Sequence, residues 1–158
     1  LGRRKWRGLW RNLDELVAVA EVEQRKSNEM IGAELGYRYA GSPIIAEEPG
    51  GPEHDFRRYV PTTWPGARLP HVWLDGHVAM QDRIGAGYTL LRLRPHDTSA
   101  LEKAMQGAPF EVLDVRDDRA RELYGFDLLL LRPDLHVAWR GNRPPADPRA
   151  LAALVTGH

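Results

Sequence analysis

FDLLLLRPDLHVAWRG, residues Phe126 to Gly141, is the stretch whose reading decides the fold. Leu128, Leu129, Leu130 and Leu131 form an unbroken apolar run, which places that strand in the middle of a sheet with both faces covered. Pro133 presets φ at the second turn position and Asp134 bonds its own backbone, so Arg132-Pro133-Asp134-Leu135 reads as a turn. The return strand alternates, with Val137 and Trp139 on one side and His136, Ala138 and Arg140 on the other, which predicts one core face. The element carries packing residues and no reactive constellation.

Working outward, Tyr88–Arg94 (YTLLRLR) and Phe110–Val115 (FEVLDV) read as strands. Between them, Thr98 or Ser99 caps a helix that runs through Met105 and stops at Gly107. Asp117–Tyr124 is a short helix stopped by Gly125. After the hairpin and a proline-rich linker, Asp147 or Pro148 opens a last helix with Ala150, Leu151, Ala153, Leu154 and Val155 on it. The order is strand, helix, strand, helix, strand, strand, helix. The first strand-helix-strand unit requires parallel pairing, and the hairpin adds antiparallel strands. This is the thioredoxin topology: an α/β domain with a mixed sheet and flanking helices, preceded here by a helical N-terminal segment.

That segment has Leu13, Leu16, Val17 and Ala20 at helical spacing behind a cap at Asn12 or Asp14. The pattern weakens at Gln24–Ser27 and resumes with Met30, Ile31 and Leu35, where Gly36 is expected to close the helix in a left-handed conformation. Its apolar face needs a partner. Glu48-Pro49-Gly50-Gly51-Pro52-Glu53 is a breaker-rich loop, and residues 56–74, FRRYVPTTWPGARLPHVWL, are pinned by prolines into an extended segment that wraps a surface. Asp75-Gly76 marks a turn, and His77–Arg83 a short strand or helical turn. The expected organisation is a helical piece over 1–36 that ends an upstream catalytic domain, a connecting and wrapping segment over 37–76, and the thioredoxin-like domain over 77–158.

Composition narrows the function classes. At 158 residues the chain is about one domain and buries roughly 70% of the surface its unfolded form exposes. Twenty-two basic and twenty-two acidic residues cancel, so no global field recruits nucleic acid or an anionic membrane. Only Arg3, Arg4, Lys5, Arg7 and Arg11, interleaved with Trp6 and Trp10, are locally basic, and they read as a solvated helix lead-in. No run is long enough to span a bilayer and no signal peptide is present. The absence of cysteine fits a reducing, cytoplasmic compartment and excludes disulfides, thiolate zinc sites and thiol mechanisms. The chain begins with Leu1, as expected of a piece of something longer.

The chemical motifs fail in turn. In a redox-active thioredoxin the nucleophilic thiol stands where this chain reads Arg94-Pro95-His96-Asp97-Thr98-Ser99, so disulfide exchange has no nucleophile. His96 and Asp97 are adjacent and do not face each other; they read as a helix-capping loop. Gly85-Ala86-Gly87-Tyr88-Thr89-Leu90 lacks the third glycine of the dinucleotide fingerprint and runs into a strand where that fingerprint needs a helix. No histidine pair has zinc-ligand spacing, and no G-x-S-x-G elbow occurs. His71, held among Arg68, Pro70 and Trp73, reads as a structural histidine bonding a backbone carbonyl or capping an interface. Trp64, Trp73 and Trp139 read as core or interface anchors. No catalytic, cofactor-binding or metal-binding residue is assigned.

YVPTTWPGARLPHVWLDG (Tyr59–Gly76), DRIGAGYTLLRL (Asp82–Leu93) and LLLLRPDLHVAWRG (Leu128–Gly141), in this order, resemble the C-terminal region of FAD-dependent aromatic hydroxylases. This flavoprotein monooxygenase group includes phenol and aromatic polyketide hydroxylases. ELGYRYAGSPII (Glu34–Ile45) is similar to the segment joining their catalytic part to this region. The resemblance implies a thioredoxin-like C-terminal domain without redox cysteines, which packs, dimerises or supports a catalytic domain. It also implies a parent oxidoreductase that uses FAD, NAD(P)H and O2 to hydroxylate an aromatic ring, with its nucleotide motifs upstream. The implied partners are the upstream FAD-binding domain and a second subunit, with no nucleic acid and no membrane. The residues carried over are structural: Pro65, Gly66, Arg68, Pro70 and His71 in the wrapping segment, with Trp64 and Trp73 beside them, and Arg132, Pro133, Asp134 and Trp139 in the hairpin. Relatives commonly end the hairpin turn in Gly where this chain has Leu135, which leaves the turn type open. The alternative expectation is a free-standing redox-inactive thioredoxin-like module that binds a partner protein.

Overall fold

Leu128, Leu129, Leu130 and Leu131 are each fully buried, and the two faces of their strand build two separate cores. The structure is a computed structural model that describes residues 13, 15–24, 30–75 and 77–158. The expected caps Asn12 and Asp14, and the basic lead-in from Arg3 to Arg11, lie outside the described residues. The central sheet contains β3 (Tyr88–Arg92), β4 (Phe110–Asp114), β5 (Leu128–Leu131) and β6 (Val137–Gly141). Its order is β4-β3-β5-β6. β3 pairs parallel with β4 and antiparallel with β5, and β5 pairs antiparallel with β6. The mixed α/β fold expected from the element order is the one observed. A small ribbon, β1 (Trp73–Leu74) with β2 (Val78–Ala79), precedes the sheet, so the 77–83 stretch holds both a strand and a helical turn, α2 (Met80–Arg83).

On one face Leu90, Leu128 and Leu130 meet α3 (Ser99–Ala104) through Leu101 and Met105, and α5 (Pro148–Thr156) through Leu151, Ala152 and Val155. On the other, Leu91, Leu129 and Leu131 meet Ala120 and Tyr124 of α4 (Asp118–Tyr124), Met80 of α2, and Leu69 and Leu74. Removing this much apolar surface from water, at about 25 cal/mol per Å2, is the main term favouring the fold.

Gly125 and Asp147 act as the sequence reading expects, and the structure adds caps at Asp117 and Gly157. Asp117 accepts the Ala120 N–H at the start of α4, and Gly125 ends it at φ +76°. Asp147 accepts the N–H groups of Arg149 and Ala150, Pro148 follows, and Gly157 ends α5 at φ +79°. At α3 neither Thr98 nor Ser99 supplies a cap bond. Asp97 instead accepts the Ser99 N–H, while the Thr98 hydroxyl donates to Glu102 at 2.7 Å. The N-terminal segment is helical at 13 and 15–24 and again in α1 (Ile31–Leu35). Gly36 is not left-handed as expected: its φ is −98° and its N–H returns to Gly32 O. A side chain there has no room, because a Cβ would stand 2.6 Å from that same oxygen.

The return strand departs from simple alternation. Leu130 pairs with Trp139 and Leu131 with Val137, so Ala138 is an extra residue in a β-bulge. The inserted residue shifts the alternation, leaving Val137 in one core while Ala138 and Trp139 turn to the other. Val137 and Trp139 therefore do not share a face, and both faces of β6 are core. The wrapping segment covers the outer edge of β6. Gly66 N–H donates to Val137 O, Val137 N–H to Ala67 O and Leu69 N–H to Leu135 O, and Ala46 N–H reaches Ala138 O. An edge that would otherwise offer unpaired backbone groups is thereby occupied.

The hairpin turn is also defined. Leu135 N–H donates to Arg132 O and Arg132 N–H to His136 O. Leu135 sits at φ +66° and neither Pro133 nor Asp134 has positive φ, giving a type I turn followed by a left-handed residue. That position ordinarily belongs to glycine, since an L side chain there costs about 1–2 kcal/mol. Leu135→Gly is expected to raise unfolding free energy by about 0.5–1 kcal/mol, after the lost contacts of the half-buried leucine and the added freedom of the unfolded chain are set against the relieved strain. A urea unfolding curve showing equal or lower stability would contradict this turn assignment.

Candidate functional site

A densely connected and nearly buried polar group is the guanidinium of Arg140 on β6. Its Nε donates to Glu48 Oε1 at 2.9 Å and its Nη2 to Glu48 Oε2 at 2.7 Å, a two-point ion pair. The group lies between the rings of Trp64 and Phe126, 4.5 and 4.4 Å from their centroids. Nη1 reaches Thr63 Oγ1 at 3.5 Å, and that buried hydroxyl donates to Tyr124 O at 2.7 Å. The Arg140 side chain is 8% exposed. The cluster ties the breaker-rich loop (Glu48), the wrapping segment (Thr63, Trp64), α4 (Tyr124) and the hairpin (Phe126, Arg140) at one point. Sequence reading counted Arg140 only as an alternating residue of the return strand, and no local pattern links it to a glutamate 92 positions away.

The carried-over residues fall into three groups. Trp64-Pro65-Gly66-Ala67 is a turn closed by Ala67 N–H to Trp64 O, with Gly66 at φ +89°. Proline at the second position and glycine at the third are what a type II turn requires, and a Cβ on Gly66 would stand 2.9 Å from Tyr39 O. Arg68 bridges His136, and Pro70 O accepts the Tyr124 hydroxyl at 3.0 Å. Burial pushes the Tyr124 phenol up, so it stays a neutral donor. In the hairpin, Arg132 donates to Asp134 at 2.9 Å and lies over the Tyr39 ring. Asp134 also accepts the His136 N–H, Pro133 is exposed, and Trp139 packs against the Leu90 core. His71 and Trp73 stand apart from both groups. His71 Nδ1 meets Gln81 Oε1 at 2.9 Å, a side-chain amide and not a backbone carbonyl. Its ring packs edge-on against Trp73, which is 54% exposed.

At the carboxyl ends of the parallel strands β3 and β4 a cleft of about 400 Å3 is lined by residues 92–97 and 114–116. It is the place where the sequence reading looked for a thiol, and two of its arginines are held in ion pairs. Arg92 forms a two-point pair with Asp114 and donates to Thr98, and Arg94 pairs with Asp118. The hydrogen bond from Arg92 holds the Asp114 carboxyl below the usual carboxylate range. His96 does not face Asp97; its Nε2 meets Asp127 Oδ2 at 3.1 Å, and Arg121 Nε reaches Asp127 Oδ1 at 2.6 Å. Burial pushes the Asp127 carboxyl up, and the bonds from His96 and Arg121 more than reverse it, leaving it below its ordinary value. The hydroxyl beside these groups, Thr98, accepts from Arg92 and donates to Glu102, and no cluster of three or more metal-ligating side chains occurs among the described residues.

The Gly85-Ala86-Gly87 segment does not fit a dinucleotide. Gly85 N–H donates to the Glu111 carboxylate at 2.6 Å, which puts negative charge where a pyrophosphate would sit. A Cβ on Gly87 would stand 2.5 Å from Pro109 O. The glycines allow close packing against β4. No described helix is long and apolar enough to cross a membrane.

Residues 62–157 match the family model of the aromatic-ring hydroxylase C-terminal region. The chain belongs to this hydroxylase family. The matched hydroxylase region begins at the wrapping segment and includes every strand of the sheet. The chain is 34% identical over 127 residues to the FAD-dependent monooxygenase apdD of Emericella nidulans, covering 73% of this chain and 20% of that protein. It is 28% identical over 149 residues to phenol 2-monooxygenase of a Pseudomonas species, covering 80% and 24%. Among solved structures, RebC-10x, in its native and K252c-bound forms, superposes with a TM-score of 0.77 at 32% identity over 93% of this chain and 29% of that one. Aklavinone-11 hydroxylase with FAD and aklavinone gives 0.66 at 25% identity, over 81% and 28%. This hydroxylase domain thus spans about a fifth to under a third of the relatives it matches.

Two outcomes follow from the geometry. Arg140→Lys keeps the charge but loses the fork and the flat stacking surface, so it is expected to cost about 1–2 kcal/mol in denaturant unfolding; an unchanged midpoint would remove the cluster from the stabilising set. Because the Asp127 carboxyl is depressed in the folded state, its contribution is complete above the unfolded carboxylate value, about 3.9, and is lost as pH falls through the folded value. Asp127→Asn should therefore flatten the decline of stability below about pH 4, and an acid limb as steep as the parent's would contradict the pairing.

Proposed function

We propose that this chain is the non-catalytic, thioredoxin-like C-terminal domain of an FAD-dependent monooxygenase. The parent enzyme hydroxylates an aromatic substrate, phenolic or polyketide, with NAD(P)H and O2. The domain's role is structural: it packs against and supports the upstream FAD-binding domain or a second subunit. The observation that carries the reading is the family match combined with a strand-end cleft in which Arg92 is paired with Asp114 and Arg94 with Asp118, and a glycine segment that opposes a carboxylate to any phosphate. Named relatives are FAD-dependent and phenol monooxygenases, which supports the flavin and the aromatic substrate class.

The test is the absorption spectrum and intact mass of the natural gene product. A polypeptide several times longer than this chain with a flavin spectrum is expected, together with NAD(P)H oxidation stimulated by a phenolic compound. A colourless product no longer than this chain would replace the proposal with a free-standing binding module. Flavin bound by the 158-residue chain alone would overturn the non-catalytic assignment.

A further inference from the structure

The wrapping segment leaves one apolar groove open. Leu69 forms its buried floor, Leu35, Tyr59 and Ala79 its apolar walls, the bonded pair His71 and Gln81 closes one side, and the volume is about 280 Å3. Arg68 is its single formal charge. Beside it the β1–β2 ribbon presents Trp73 at 54% exposure and Val78 at 41%, with Trp73 braced edge-on by His71. A tryptophan held rigid on a half-open apolar surface is the composition of an interface anchor and not of a solvated face. The tryptophans elsewhere in the described residues are used internally, Trp64 against Arg140 and Trp139 in the core.

Resting on the reading that a catalytic part precedes this domain, we infer that the Leu35–Tyr59–Leu69 groove, with the adjoining Trp73 ribbon, is the seat of the upstream catalytic part of the same polypeptide. The occupant inserts an apolar side chain over Leu69 and offers a carboxylate to Arg68. Two observations select it over other partners. The chain covers only 20–29% of the relatives cited above, so most of such a polypeptide lies outside it. The groove wall Leu35 belongs to α1, which follows a helical stretch whose Leu16, Val17, Val19 and Val22 are also uncovered, each at least half exposed. A helix that short is marginal in water without a packed face. The helical stretch and the groove wall that follows it in sequence both present uncovered apolar surface.

Hydroxyl-radical footprinting of the full-length flavoprotein tests this without a substitution. Trp73 is expected to be oxidised at about a tenth of the rate of free tryptophan, as a residue ringed by water-excluding contacts is, while Phe56, exposed and outside the groove, reacts freely. The protection should be independent of protein concentration. Trp73 reacting as a solvated tryptophan in a protein that is long and binds flavin would overturn the docking assignment and leave the proposed function standing. Protection that disappears on dilution would assign the groove to a second copy and overturn it equally. A short, colourless gene product would remove the proposed function itself.

Discussion

The guanidinium of Arg140 is the constraint on which the arrangement around the sheet depends. It is nearly buried, and a buried cation is tolerated only where its donors and its charge are matched. Glu48 matches both at 2.9 and 2.7 Å, and Trp64 and Phe126 cover the two faces that a carboxylate cannot reach. None of these partners adjoins Arg140 in sequence. Placing the cation in its slot therefore fixes the loop at 48, the strap at 63–64 and the start of the hairpin at 126 together. A well-packed apolar substitute could be as stable, but it would not specify which loop lies where.

The strap thus fixed completes the sheet. β6 is an edge strand by topology, and a flat edge with apolar residues invites pairing with another chain. Backbone bonds from Gly66, Ala67 and Leu69 use that edge. The type II turn at Trp64–Ala67 supplies the change of direction, and Pro65 and Pro70 need no partner for a missing N–H. Sequestration is selective: the β6 edge is closed, while Trp73 and Val78 of the ribbon stay exposed.

The crevice beside the mixed sheet and the groups that fill it both have physical explanations. The crevice at the ends of the parallel strands persists because strand order creates it. Several of its polar groups are held by partners, Arg92 by Asp114, Arg94 by Asp118, and Asp127 by both His96 and Arg121. Charges saturated this way hold loops in place. They offer no free base beside a nucleophile.

The sequence by itself determined the element order, the doubly buried β5 and the helix stop at Gly125, because these follow from local period, capping chemistry and backbone freedom. It also marked Pro65, Gly66, Asp134 and Trp139 as structural. Only the tertiary structure decided the bulge at Ala138, the left-handed Leu135, the pairing of His96 with Asp127 and the Arg140–Glu48 cluster. A bulge changes which face a residue occupies without changing composition. An ion pair between residues 92 positions apart has no period to detect, since it exists only where the folded backbone brings distant charges together and excludes water from between them.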